Sequence, residues 1–152
     1  MDNNYETVRR IMLATNKIDG VYYLFAKQFG INENTLAFLY ALDDGEPHSQ
    51  KEICDEWLIP RTTINSIVKK MLSDGLISFV PEQNGKEKAL VLTEKGRDYT
   101  DKLLNSIYTA EEKAIKETLE IYPIEFVEAL EGFSKRLQDE FATVINQKKQ
   151  GE

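Results

Sequence analysis

Arg61, Thr62, Thr63, Asn65, Ser66, Lys69 and Lys70 lie within ten residues that include no acid. Their amide, hydroxyl and guanidinium groups can pair with base edges, and their ammonium groups with phosphates. The apolar residues between them, Ile64, Ile67, Val68 and Met71, recur at i, i+3, i+4 and i+7. That is the period of a helix with one buried stripe, so the polar set occupies the opposite face. Lys86 and Lys88 add two cations beside Asn84-Gly85, a pair that favours a tight hairpin turn. The plainer reading of such a set is a solvated charged face, and the flanking elements have to decide.

Other chemistries find little support. His48 is the only histidine and Cys54 the only cysteine, so neither a His/Cys metal cluster nor an intrachain disulfide can be built. There is no Gly-rich phosphate loop, and no histidine placed to pair with a nucleophile and an orienting acid. The carboxylates of Glu111, Glu112, Glu117 and Glu120 fall on amphipathic helix faces, where solvation explains them. No enzyme activity, cofactor or metal is expected. His48 reads as a surface residue ahead of a helix, and Cys54 as a half-buried structural thiol.

The elements around the basic helix fall in an informative order. Ser49-Gln50-Lys51-Glu52 fits a capping box, in which hydroxyl and carboxylate each satisfy an orphaned backbone N–H, so a helix should start at Ser49. Leu58-Ile59-Pro60 gives the tight turn into the basic helix, and Gly75 is placed to end that helix in a left-handed conformation. Residues 76–80 and 89–92 read as two strands of a hairpin. Helix, turn, basic helix and hairpin make a winged helix-turn-helix.

Longer helices flank this motif. The first, roughly Asn4 to Phe29 with Gly30 as its cap, carries Val8, Ile11, Met12, Ile18, Tyr22, Phe25 and Phe29. A second, from Asn32 to Asp43, presents Leu36, Leu39, Tyr40 and Leu42. A long helix from Thr93 to about Leu119 has Tyr99, Leu103, Ile107, Ala110 and Ala114 on one face, and the last starts at Pro123. In that last helix Phe126, Leu130, Phe133, Leu137, Phe141 and Val144 are spaced close to a 3.5-residue seam. The fold class is mainly α with a small β-hairpin wing.

At 152 residues and 41% hydrophobic, the chain can bury one core and leaves little room for a second domain. No apolar run approaches membrane-spanning length, and the acidic N-terminus is unlike a signal peptide, so a cytoplasmic protein is expected. The net charge of −7 is unevenly spread: Ser49–Arg97 holds eight basic and seven acidic residues, +1, which leaves −8 for the rest. An acidic body of this kind binds polyanions poorly without a geometric match.

These residues resemble the MarR (multiple antibiotic resistance regulator) family of bacterial winged-helix transcription factors. The resemblance rests on Ser49-Gln50-Lys51-Glu52-Ile53, on Thr63 to Met71, on Gly75-Leu76-Ile77, and on Leu90-Val91-Leu92-Thr93-Glu94-Lys95-Gly96. It implies a single subunit over 1–152, with the winged helix-turn-helix in 32–96 and dimerisation helices in 4–30 and 97–147. It further implies a homodimer on a pseudo-palindromic double-stranded operator, acting as a repressor released by a small molecule. Arg61, Thr62, Thr63, Asn65 and Ser66 would then face bases, and Lys69, Lys70, Lys86 and Lys88 would hold phosphates. The wing tip departs from the family's Asp and Arg, reading Asn84-Gly85-Lys86-Glu87-Lys88. Family effectors are often small aromatic or phenolic molecules bound beside the winged helix, where Tyr22, Tyr23, Phe25, Phe38 and Trp57 would line the crevice. The alternative is a winged helix used as a protein-interaction scaffold without DNA binding, which the acidic charge would suit.

Overall fold

The computed structural model describes residues 3–80 and 88–150. The order is α1 (Asn3–Gln28), α2 (Glu33–Leu42), β1 (His48–Ser49), α3 (Gln50–Trp57), α4 (Arg61–Ser73), β2 (Ile77–Val80), β3 (Ala89–Leu92), α5 (Glu94–Leu119) and α6 (Glu125–Gln150). The fold is mostly helical with a small antiparallel sheet of order β1-β3-β2. Two compact units divide the chain, Met1–Ser106 and Ile107–Glu152. Among the described residues no helix is long and apolar enough to cross a membrane.

The first unit contains the winged helix. Asn32 caps α2, its Oδ1 accepting the Thr35 N–H at 2.8 Å. Leu36, Phe38, Leu39 and Leu42 of α2 pack in a core with Ile53 of α3 and with Ile64, Ile67, Val68 and Met71 of α4. The capping box of α3 forms as expected, with the Ser49 N–H donating to Glu52 Oε2 at 2.7 Å and the Glu52 N–H to Ser49 Oγ at 3.1 Å. The turn from α3 to α4 places Leu58 in the left-handed region at φ 51. Pro60 stands one residue before α4.

The end of α4 is closed by paired 6→1 and 5→2 bonds. The Leu76 N–H donates to the Met71 carbonyl at 2.9 Å and the Gly75 N–H to Leu72 at 3.1 Å, with Gly75 at φ +69. The start of α5 locks onto this turn. The Thr93 N–H donates to the Leu76 carbonyl at 3.0 Å, and the Thr93 hydroxyl to the Gly75 carbonyl at 2.7 Å. Thr93 Oγ1 also caps α5 by accepting the Gly96 N–H at 3.0 Å, while Lys95 Nζ donates to the Asp74 carbonyl at 2.7 Å. A Cβ at residue 96 would overlap the Leu76 carbonyl, so only glycine permits this approach.

Three details differ from the sequence expectation. The two-residue β1 pairs with β3, His48 opposite Leu90, and gives the wing a third strand. In α5 burial runs through Thr100, Leu103 and Leu104, whereas Tyr99, Ala110 and Ala114 are exposed. The helix α6 begins at Glu125, because Pro123 and Ile124 form a tight turn in which their carbonyls accept from Phe126 and Val127 at 3.2 and 2.9 Å. The hairpin tip, with Asn84, Gly85 and Lys86, lies outside the described residues.

Ahead of β1, Asp44 accepts the Glu46 N–H at 2.9 Å and contacts His48 Nε2 at 2.9 Å. The Glu46 bond first, and the His48 bond second, hold the Asp44 carboxyl below its ordinary pKa. A depressed carboxylate adds stability above its unfolded pKa and loses it as pH falls through the folded value. Asp44→Asn should therefore cost about 0.5 kcal/mol or less at pH 7 in urea unfolding, since the group is exposed, and the difference should vanish below the carboxylate range. Gly96→Ala should cost at least about 2 kcal/mol in the same measurement, because the clash is with backbone that cannot move aside.

Candidate nucleic-acid interface

The helix α4 buries Ile64, Ile67, Val68 and Met71 and turns Arg61, Thr62, Asn65, Ser66, Lys69 and Lys70 outward, with Thr63 half-buried at the boundary. The 3.6-residue repeat produces this separation without any tertiary rearrangement. Its first turn has no acid, and Pro60 offers no side-chain cap. The N–H groups of Arg61, Thr62 and Thr63 thus lack intrahelical acceptors and sit at the positive end of the helix dipole. Such an end accommodates a phosphate oxygen.

A concavity of about 520 Å³ opens in front of α4, lined by Gln50, Lys51 and Cys54 of α3, Arg61, Ile64 and Asn65 of α4, Phe79 of β2, and Lys88. It gathers Arg61, Asn65 and Lys88 of the anticipated set on one surface. Gln50 and Lys51 were missed as members because the capping box alone accounted for them; their place in the first turn of a helix packed on α4 was the available signal. Lys88 Nζ lies 5.7 Å from the centre of the Phe79 ring, a cation–π distance that holds the ammonium over the concavity's rim. Cys54 is buried among these residues.

Two side chains are partly committed within the helix. The Ser66 hydroxyl donates to the Thr62 carbonyl at 3.1 Å, which leaves its lone pairs to accept. Lys70 Nζ pairs with Asp74 Oδ2 at 2.9 Å, and that hydrogen bond, with the attraction of the carboxylate, raises the lysine's pKa. Among the described residues Arg61 and Lys69 show no such ion pair, so the positive field of α4 is concentrated on them.

Residues 29–86 match the family model described as MarR family. Over that stretch, which is 58 of the 152 residues, the chain is similar to the MarR family. No curated protein matches the sequence. Among solved structures, the chain is similar to a MarR family regulator from Neisseria meningitidis at TM-score 0.74 and 24% identity, covering 94% of this chain and 99% of that one. The transcription regulator MarR from Oenococcus oeni superposes at TM-score 0.67 and 18% identity, covering 88% and 98%. A further MarR-family protein, from Listeria monocytogenes and complexed with 26mer DNA, superposes at TM-score 0.62 and 20% identity, covering 90% and 89%. The fold is thus that of MarR transcriptional regulators over nearly the whole chain.

Beside the winged helix, a cleft of about 550 Å³ lies between α1, α2 and the end of α3. Tyr22 and Trp57 line it, together with Ile18, Asp19, Glu33, Asn34, Leu36, Ala37, Tyr40 and Ile59. The other three aromatic residues expected there are elsewhere. Phe38 is fully buried in the core, on the side of α2 away from Ala37 and Tyr40. Tyr23 is exposed one residue round α1 from Tyr22, and Phe25 stacks on Phe29 with ring centres 4.6 Å apart. Tyr40 takes their place, its ring 5.6 Å from that of Trp57 and tilted by 59°.

Replacing Asp74 by Asn should release the Lys70 ammonium and remove one negative charge beside it. Binding to random duplex should tighten several-fold, and the salt dependence should steepen by about one unit in log K against log salt if Lys70 then meets a phosphate. An unchanged slope would show that Lys70 does not reach the backbone.

Proposed function

We propose that the protein is a sequence-specific DNA-binding transcription regulator, acting as a cytoplasmic homodimeric repressor that a small molecule releases from its operator. The observation that carries this reading is the acid-free outer face and uncapped start of α4, set in one concavity with Gln50, Lys51 and Lys88. Arg61, Thr62, Thr63, Asn65 and Ser66 would read base edges, each good bidentate pair supplying about 1–3 kcal/mol of discrimination. Lys69, Lys88 and Lys86 would hold phosphates, with Lys70 joining them once it exchanges Asp74 for the backbone.

Exposed apolar faces on two helices support pairing of two copies. Val8, Met12, Leu13, Val21 and Leu24 leave α1 with a large exposed apolar surface, and Phe126, Leu130, Phe141, Val144 and Ile145 do so on α6. Exposed apolar residues gathered along a helix in this way favour an interface. The segments 4–30 and 97–147 would dimerise and place two α4 helices on successive half-sites, one DNA turn apart. An effector binding the DNA-incompetent arrangement about 100-fold more tightly would shift the equilibrium by about 2.7 kcal/mol, enough to vacate an operator.

The test is fluorescence anisotropy with duplexes from the protein's own upstream region, scrambled duplex as competitor, and a salt series. Binding of two subunits that survives competition, and that falls by about tenfold or more with Asn65→Ala, would support operator reading. Equal affinity for scrambled DNA by an intact dimer, with Asn65→Ala silent, would favour the scaffold alternative.

A further inference from the structure

The cleft between α1, α2 and α3 has a chemical bias that its aromatic lining alone does not convey. Asp19 of α1 and Glu33 of α2 both line it, and none of its lining residues is Lys, Arg or His. Tyr22, Tyr40 and Trp57 supply ring faces, with Tyr40 and Trp57 meeting at 59° to form two walls of a corner. Aromatic faces carry negative charge density, strongest for indole, and attract cations over anions. The cleft's volume of about 550 Å³ is within the range for a small organic ligand.

A local feature that would favour an anion is partly offset. The start of α2 borders the cleft, and the dipole of a helix start attracts negative charge. Here Asn32 Oδ1 accepts the Thr35 N–H, and Glu33 places a carboxylate in that same first turn. An incoming carboxylate would meet Glu33 and Asp19 with no cation to receive it, in a chain that is −7 overall. Trp57, at the rim of the cleft, is 38% exposed, which leaves its indole accessible to a ligand.

We infer that this cleft binds an organic monocation, an amine or quaternary ammonium on a compact apolar body, with Tyr40 and Trp57 around the charged head and Asp19 and Glu33 as counter-charges. This deepens the effector reading given above, and rests on it only for the consequence at the operator. An aromatic acid, the mirror-image ligand, is disfavoured by every charge lining the cleft.

Trp57 is the only tryptophan of the chain, so its emission reports on the cleft directly. The full-length protein is titrated with benzyltrimethylammonium, benzyl alcohol and phenylacetate, which share a ring and differ in charge, while tryptophan emission is followed. The cation should bind about tenfold more tightly than the alcohol, and phenylacetate more weakly than either. Asp19→Asn and Glu33→Gln should each reduce the cation's advantage several-fold and leave benzyl alcohol unchanged, which a merely structural role would not do. Equal or tighter binding of phenylacetate, or no response to any of the three, would overturn the inference. Operator anisotropy with the same compounds separates the two readings. Cation binding without DNA release would uphold the ligand class and sink the effector role; release by phenylacetate acting at Trp57 would do the reverse.

Discussion

The carbonyl oxygen of Leu76 stands at the junction on which the winged helix depends. It follows the Gly75 turn that closes α4, accepts the N–H of Thr93 at the end of the wing, and lies against the Cα of Gly96 at the start of α5. One acceptor thereby joins recognition helix, sheet and long helix within a few ångströms. The Thr93 hydroxyl and the Lys95 ammonium add bonds to the Gly75 and Asp74 carbonyls, so the terminal carbonyls of α4 find partners from α5. Because several such bonds converge on one turn, and the Gly96 backbone packs directly against Leu76, α4 and the first turns of α5 are bound to move together.

What such a junction positions is a helix whose two faces obey different requirements. The inner face is specified by volume, with four aliphatic side chains against α2 and α3. The outer face must remain polar and acid-free while burying nothing, and Asp74, just past its end, draws Lys70 into a pair. The balance of charge on this surface is therefore finer than a count of lysines conveys. On DNA, a chain that is acidic overall would rely on where its cations stand, since few phosphates would be neutralised at once.

Much of this architecture was legible because it is local. The Ser49–Glu52 capping box and the Gly75 termination each follow from neighbours within a few residues, and each forms as read, whereas Pro60, expected in the first turn of α4, stands one residue ahead of it. What escaped was set by distant partners. β1 is two residues long and exists because His48 pairs with Leu90, some forty positions on. The helix α2 is apolar on nearly every side, so no periodicity could tell which of Phe38 and Tyr40 faces the core and which the cleft. The winged helix-turn-helix could be read from motifs, whereas Gln50 and Lys51 joined the concavity only when α3 was packed against α4.

The recognition helix is anchored unequally at its two ends. Its last turn is held by Gly75, Leu76, Thr93 and Lys95, while its first turn follows an exposed left-handed Leu58 and has no capping side chain. Local opening is easiest where hydrogen bonds are fewest, so amide exchange along α4 should be fast at Thr62 and Thr63 and slow at Met71 and Leu72. Several of the groups proposed to meet bases thus belong to the softer half. Ordering that turn against DNA would draw an entropic toll for each site, largest where the fit is imperfect, and would sharpen the contrast between right and wrong sequences.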